Sequence, residues 1–311
     1  MKEPQFDEVI IELSYNCNLS CSMCGFGREV NPFDRRKFLS LENYQSILDI
    51  LGDKCKAIRL NGRGESTIHP KFLEILELTK KQYPEIDIIL FSNFSFHKDK
   101  ILDAFIKYDV QLFISMDSPN DEELSRLRTG CNPKLIKKNI VKMERGSKRP
   151  FIICTIQEDN IQRIYEMAQF AFEHQCHILF NTLRRDVGIE PFVENIQKNK
   201  EGIRSQFEKV HQLYLNSGLR SLYPDQMAGI QICSTKNTQT HGKMDSCPIL
   251  EKEICILYDG TVTPCNMFNP YRYGNIFQES LSEIWEGEAR RAFLTSHKDN
   301  YYCQNCANLG R

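Results

Sequence analysis

Six short β-rich runs, each followed by an amphipathic stretch, limit this chain to a small set of folds. The runs are Val9–Leu13, Ala57–Leu60, Asp87–Phe91, Gln111–Met116, Phe151–Ile156 and His177–Asn181. Several are continuously apolar, as parallel strands covered on both faces must be. Between them, Ser40 can cap a helix that buries Leu41, Tyr44, Leu48 and Leu51, and Pro70 can open the next with Phe72, Leu73 and Leu76 inward. Further helices are predicted over Lys98–Tyr108, Asp121–Arg128, Pro133–Arg145 and Ile161–Glu173, the last with Ile164, Ala168 and Ala171 on one face. The pattern predicts an α/β fold, a partial (β/α)6 barrel followed by a small C-terminal α+β domain. An open doubly wound sheet has the same signature.

The alternation stops near Pro191–Lys200. A helix is expected near Glu201–Leu215, then a loop-rich stretch to Ser246. This divides the chain into a barrel at 1–190, a linker with a helix at 191–246 and a small domain at 247–311. Apolar content of 41% and charged content of 26% are ordinary for a soluble globular protein. No apolar run approaches the roughly 20 residues that cross a bilayer, and the start MKEPQFDEVIIEL lacks the features of a signal peptide. A cytoplasmic location without a membrane partner is expected. The formal net charge of −1 gives no reason to expect a nucleic-acid partner. One basic run, Lys134, Lys137, Lys138, Lys142, Arg145, Lys148 and Arg149, reads as a solvated helix face. The sharper reading is a docking patch for an acidic electron donor such as a flavodoxin.

Thirteen cysteines are too many to ignore in a chain expected in a reducing compartment, which disfavours structural disulfides, and an odd count leaves no complete pairing. Three fall within eight residues near the start and five lie between 247 and 306, a clustering that points to metal. Cys17-Asn-Leu-Ser-Cys21-Ser-Met-Cys24 is CxxxCxxC and directly follows the first strand, where α/β folds hold ligands. Three thiolates at short spacing suit iron–sulfur ligation and leave one iron of a cubane open to a bidentate small molecule. A structural zinc site is the competing reading, but zinc usually takes four protein ligands.

CxxxCxxC after strand one of a βα barrel resembles the signature of the radical S-adenosylmethionine superfamily. Asn61-Gly62-Arg63-Gly64-Glu65, after the second run, is similar to that family's GGE element. The resemblance implies that Gly62 and Gly64 let backbone approach the cofactor and that Glu65 pairs with its ammonium. It also implies cofactor contacts from Ser92 and Asn93, from Ser115 and Asp117, from Arg128 to the methionine carboxylate, and from Thr182 beside the adenine. Met23 departs from the aromatic residue common in relatives before the third cysteine, though it can still pack against adenine.

The tail holds Cys247, Gly260, Cys265 and Cys303-Gln-Asn-Cys306, with an Asp259-Gly260 hairpin signal and the sequel Gly274-Asn-Ile … Leu281–Trp285. This resembles the SPASM/Twitch auxiliary-cluster region. Four cysteines, Cys247, Cys265, Cys303 and Cys306, suit the shorter Twitch form with one auxiliary [4Fe–4S] cluster; a zinc ribbon has similar spacings. Cys255 lies outside that ligand set.

The family resemblance implies a [4Fe–4S] cluster, S-adenosylmethionine and a 5′-deoxyadenosyl radical that takes a hydrogen atom from substrate. An oxidoreductase or isomerase acting on an aminocyclitol- or sugar-like molecule is the expected function. The alternatives are a maturase of a ribosomally made peptide and a non-enzymatic iron–sulfur or zinc module. Asn266 stands where several relatives have a carboxylate base. Cys255 is the first candidate hydrogen-atom donor, ahead of Cys233 and Cys154. His69, Asp186 and Tyr258 receive no role from spacing.

Overall fold

The computed structural model describes residues 4–25, 37–183, 190–224, 226–227, 230–231, 247, 249–265, 271–300 and 303. Six parallel strands run β1 (Phe6–Ile11), β2 (Cys55–Leu60), β3 (Asp87–Ser92), β4 (Gln111–Ser115), β5 (Phe151–Ile156) and β6 (His177–Thr182). The short β7 (Ser221–Leu222) adds to β6 in the same direction. Helices α1 (Leu41–Leu51), α2 (Phe72–Gln82), α3 (Asp99–Lys107), α4 (Asp121–Leu127), α5 (Pro133–Met143) and α6 (Ile164–Glu173) lie between them. They cover one face, where Val9, Ile11, Ile58, Leu60, Ile88, Leu90, Leu112, Ile114, Ile152 and Ile178 are buried. The expected α/β partial barrel is present: the strands follow chain order and the sheet does not close.

Local chemistry accounts for the helix starts. Ser40 accepts from Asn43 N at 3.1 Å, Asn120 caps α4, and Asn132 caps α5 ahead of Pro133. In α2 the buried set is Phe72, Ile75, Leu76 and Thr79, the i, i+3, i+4, i+7 face, so Leu73 is only partly buried. A helix α7 (Glu190–Lys198) occupies the stretch where the βα alternation ends, followed by α8 (Lys200–Tyr214). A two-stranded ribbon, β8 (Gln226–Met227) and β9 (Ile230–Gln231), stands apart from the main sheet.

The C-terminal hairpin joins the barrel sheet. After α9 (Ile249–Lys252), β10 (Glu253–Ile256) pairs in parallel with β1, and β11 (Thr261–Thr263) and β12 (Gly274–Asn275) extend the sheet antiparallel. Gly260 makes the turn at φ +83°, where an added Cβ would strike the Phe277 ring. Helices α10 (Leu281–Trp285), with a capping box from Ser280 and Glu283, and α11 (Glu288–Ser296) pack beside it.

Strand alternation fixes the concave face. Glu8, Ile10 and Glu12 of the β1 segment share it with Arg59, Phe91, Phe113, Phe151, His177 and Cys255. Phe91, Phe113 and Phe151 stack face to face at 4.5 and 4.8 Å, and Ile10, Cys255 and Leu257 form a small apolar cluster opposite.

Candidate active site

The cysteine loop lies at the carboxyl end of β1 and is tied down from two sides. Ser20 N donates to Thr129 O at 2.9 Å, and Ser22 donates through N and Oγ to Leu127 O at 3.0 and 3.2 Å. Asn93 Nδ2 reaches Cys17 Sγ at 3.8 Å and Asn18 Oδ1 at 2.8 Å. Cys17, Cys21 and Cys24 are half-buried and lie within electrostatic reach of one another. Burial raises the Cys17 thiol to about 12 and pushes Cys21 up as well. A bound metal overrides that shift, because a coordinating thiol is deprotonated outright.

The Gly62–Glu65 turn sits against this loop. Gly62 makes room for the Glu12 side chain, and an added Cβ on Gly64 would overlap the carbonyl oxygens of Ser14 and Asn16. Glu12, fully buried, takes Arg63 Nε and Nη2 at 2.8 and 2.6 Å and Arg63 N at 2.8 Å. The Arg63 guanidinium lies 4.3 Å over the Tyr15 ring. Glu65 accepts from Thr67 N and Oγ1 at 3.1 and 2.7 Å, Ser92 Oγ at 2.9 Å and Asn93 N at 2.7 Å. Burial still pulls its carboxyl upward. Ser92 and Asn93 therefore meet Glu65 directly, joining the ends of β2 and β3.

Arg128 and Asp117 also come together. Arg128 Nε stands 2.7 Å from Asp117 Oδ2 as a buried ion pair whose alignment falls outside hydrogen-bond geometry. Asp117 Oδ1 accepts from Thr155 N at 2.8 Å. Burial works against the Arg128 charge, but Asp117 and Cys21 outweigh it and hold the guanidinium charged. Ser115 is half-buried on the concave face of β4, and Thr182 ends β6.

Three amides to which sequence reasoning gave no role lie at this mouth. Asn16 Oδ1, Asn61 Oδ1 and Gln157 Nε2 are buried without a hydrogen-bond partner among the described residues. For Asn61 and Gln157 the available signal was their place directly after β2 and β5; Asn16 lies in the loop that leads into Cys17. Buried orphan amides of this kind mark where a polar ligand completes the bonding.

In the C-terminal region Cys247, Cys265 and Cys303 all lie within electrostatic reach of Tyr273. Cys306, Cys233, Asn266 and Asp186 lie outside the described residues. Cys255 faces the concave side of β10, where burial raises its thiol to about 12. Cys154 faces the helices instead and contacts Asp117 O at 3.7 Å. His69 is a core group: Nε2 donates to Leu39 O at 2.8 Å and Nδ1 accepts from Lys71 N. Tyr258 packs on Tyr15 at 5.9 Å. Of the basic run, Lys137, Lys142 and Lys148 pair with Asp121, Asp99 and Asp87.

Among the described residues no three Cys, His, Asp or Glu side chains close on a single-ion site. A cubane spreads its thiolates over separate irons and asks only that they face a common space. The three N-terminal thiols, the glycine-cleared turn and the orphan amides fit a cluster with a zwitterionic ligand beside it. Among the described residues no helix is long and apolar enough to cross a membrane.

Comparison with known proteins agrees with this geometry. Residues 11–171 match the family model of the radical SAM superfamily, and residues 247–307 match SPASM, an iron–sulfur cluster-binding domain. The match is to the SPASM model, whereas the cysteine count favours the shorter Twitch form. The chain is 24% identical to the tungsten-containing aldehyde ferredoxin oxidoreductase cofactor-modifying protein of Pyrococcus furiosus, over 96% of this chain and 86% of that protein. It is 24% identical to the subtilosin biosynthesis protein AlbA of Bacillus subtilis, over 95% of this chain and 66% of that one. Among solved structures, Streptococcus suis SuiB bound to S-adenosylmethionine superposes with a TM-score of 0.73 at 14% identity, covering 98% of this chain and 71% of SuiB. The structure of native anSMEcpe with bound AdoMet gives 0.72 at 17% identity, over 96% and 86%. The chain thus belongs to the radical S-adenosylmethionine superfamily, with [4Fe–4S] and S-adenosylmethionine as its cofactors and a SPASM auxiliary iron–sulfur region at its C-terminal end.

Proposed function

We propose that this chain is a maturase that modifies a ribosomally made peptide. The observation that carries the reading is sequence similarity along nearly the whole chain to AlbA, a bacteriocin biosynthesis protein, and to a cofactor-modifying protein. The fold likeness to SuiB, also solved with its precursor peptide SuiA at a TM-score of 0.71, supports it. The aminocyclitol- or sugar-like substrate expected from the sequence finds less support. BtrN in complex with AdoMet and 2-DOIA superposes with a TM-score of 0.54.

In this reading residues 1–190 carry the reaction and residues 247–311 the auxiliary site. Cys17, Cys21 and Cys24 hold the first cluster; Cys247, Cys265, Cys303 and Cys306 hold the auxiliary one. The cluster and S-adenosylmethionine supply hydrogen-atom abstraction when bound. Gly62 and Gly64 clear space for the cofactor's methionine end. Arg128, held by Asp117, offers its positive charge to the carboxylate, and Ser115 and Thr182 line the ribose and adenine side. Cys255, kept protonated by burial, is the thiol that returns a hydrogen atom if the outcome is epimerisation. The clusters' need for reducing conditions supports a cytoplasmic location, with an acidic flavodoxin-like protein as electron donor.

The test is anaerobic turnover. Purified protein should contain about eight irons and, with dithionite and S-adenosylmethionine, release 5′-deoxyadenosine. A precursor peptide encoded beside the gene should then lose hydrogen or take up one solvent deuterium. Turnover of a cyclitol with no change in such a peptide would overturn the maturase reading.

A further inference from the structure

Tyr273 stands in the auxiliary region immediately before β12. Its backbone N donates to Val262 O at 2.8 Å and its ring packs edge-on against Phe293 at 5.9 Å. The residue is 5% exposed, yet among the described residues its hydroxyl finds no hydrogen-bond partner. A buried phenol without a partner is costly, and native structures seldom keep one unless a ligand completes it. The charged or ionisable groups facing it are Cys247, Cys265, Cys303 and Arg290.

Arg290 is the second unusual group. Its guanidinium lies 3.6 Å over the Trp285 ring and donates to Trp285 O and Leu250 O at 3.2 Å each. Among the described residues no carboxylate forms an ion pair with it, and its Nε has no hydrogen-bond partner. The donor hydroxyl thus faces three thiols and a guanidinium that has no ion-pair partner among the described residues, with Glu286 and Glu251 acting on it only at longer range. That arrangement suits an anionic centre that gains further negative charge on reduction.

We propose that the Tyr273 hydroxyl donates a hydrogen bond to the auxiliary iron–sulfur cluster and raises its reduction potential, with Arg290 acting in the same direction. Hydrogen bonds to cluster sulfurs and nearby positive charge favour the reduced form. A phenol keeps its proton at neutral pH, so the hydroxyl is available as a donor. The inference rests on the assignment of Cys247, Cys265, Cys303 and Cys306 as ligands; it is independent of the substrate.

The experiment uses the full chain with Cys17→Ala, Cys21→Ala and Cys24→Ala, which leaves only the auxiliary cluster to titrate by EPR-monitored potentiometry. Adding Tyr273→Phe, which keeps the packed ring, should lower the reduced-to-oxidised ratio at fixed potential about tenfold, a 59 mV negative shift. Arg290→Gln should shift it the same way. Exchange into deuterium oxide should move the iron–sulfur stretching bands while Tyr273 is in place and leave them unmoved in the Tyr273→Phe variant. An unchanged potential in Tyr273→Phe with iron intact would overturn the proposal. A triple-alanine protein without iron would overturn the ligand assignment and the proposal with it.

Discussion

Arg128 meets Asp117 at 2.7 Å behind the cysteine loop, and the residues flanking Arg128 are the ones that hold the loop in place through Leu127 O and Thr129 O. Both side chains are buried, so removing one partner strands a charge. Arg128→Met or Asp117→Asn should each destabilise the fold by about 3–5 kcal/mol. The double variant should lose less than the sum, because neither charge is then left alone. Denaturant unfolding of all four proteins measures the coupling.

Gly64→Ala should abolish cluster assembly. The added methyl group would overlap two carbonyl oxygens, of Ser14 and Asn16, which belong to backbone that leads directly into Cys17. Neither can retreat without moving the cysteine loop. Iron per chain after anaerobic reconstitution is the measurement, and full iron content in the alanine variant would contradict the packing described.

Glu65→Gln should weaken the mouth of the barrel even without cofactor. Its oxygens face four donors, and an amide would turn an NH2 group toward some of them. Losing charge-assisted acceptance for unsatisfied donors costs about 2–4 kcal/mol. Thermal unfolding of the cluster-free protein would show it, and an unchanged midpoint would argue that this carboxylate does not hold the strand ends together.

Glu8 and Glu253 lie opposite each other on β1 and β10 and share one guanidinium: Arg59 Nε is 2.9 Å from Glu8 and Nη2 is 3.5 Å from Glu253. Burial, opposed by Arg59, raises Glu253 from 4.5 to about 7. The folded chain therefore holds a proton there, between about pH 4.5 and 7, that the unfolded chain has already released. Stability should fall as pH rises through that window. Glu253→Gln should flatten the decline and melt higher than the natural protein on the alkaline side of the window, as read from melting points taken across it.

The barrel and its cysteine loop were legible because both are local. Alternating apolar runs define β1 to β6, and CxxxCxxC falls immediately after one of them. The pairing of Arg128 with Asp117, and of Glu65 with Ser92 and Asn93, was not legible. Each partner looked like a separate ligand contact, and only the strand ends brought together by the sheet reveal the connection. Asn16, Asn61 and Gln157 are common polar residues in loops; their isolation becomes visible once burial is known. Helix α11 carries few apolar residues, with Phe293 its one buried side chain, which left its periodicity too weak to read.

The parallel ladder between β1 and β10 has a consequence for synthesis. Glu8 must pair with Glu253, so the first strand leaves the ribosome with one hydrogen-bonding edge bare until the C-terminal region emerges. Such long-range closure is slow, and a bare apolar edge is an aggregation risk in the interval. Truncation before β10 should therefore yield insoluble protein, because the β1 edge then stays bare.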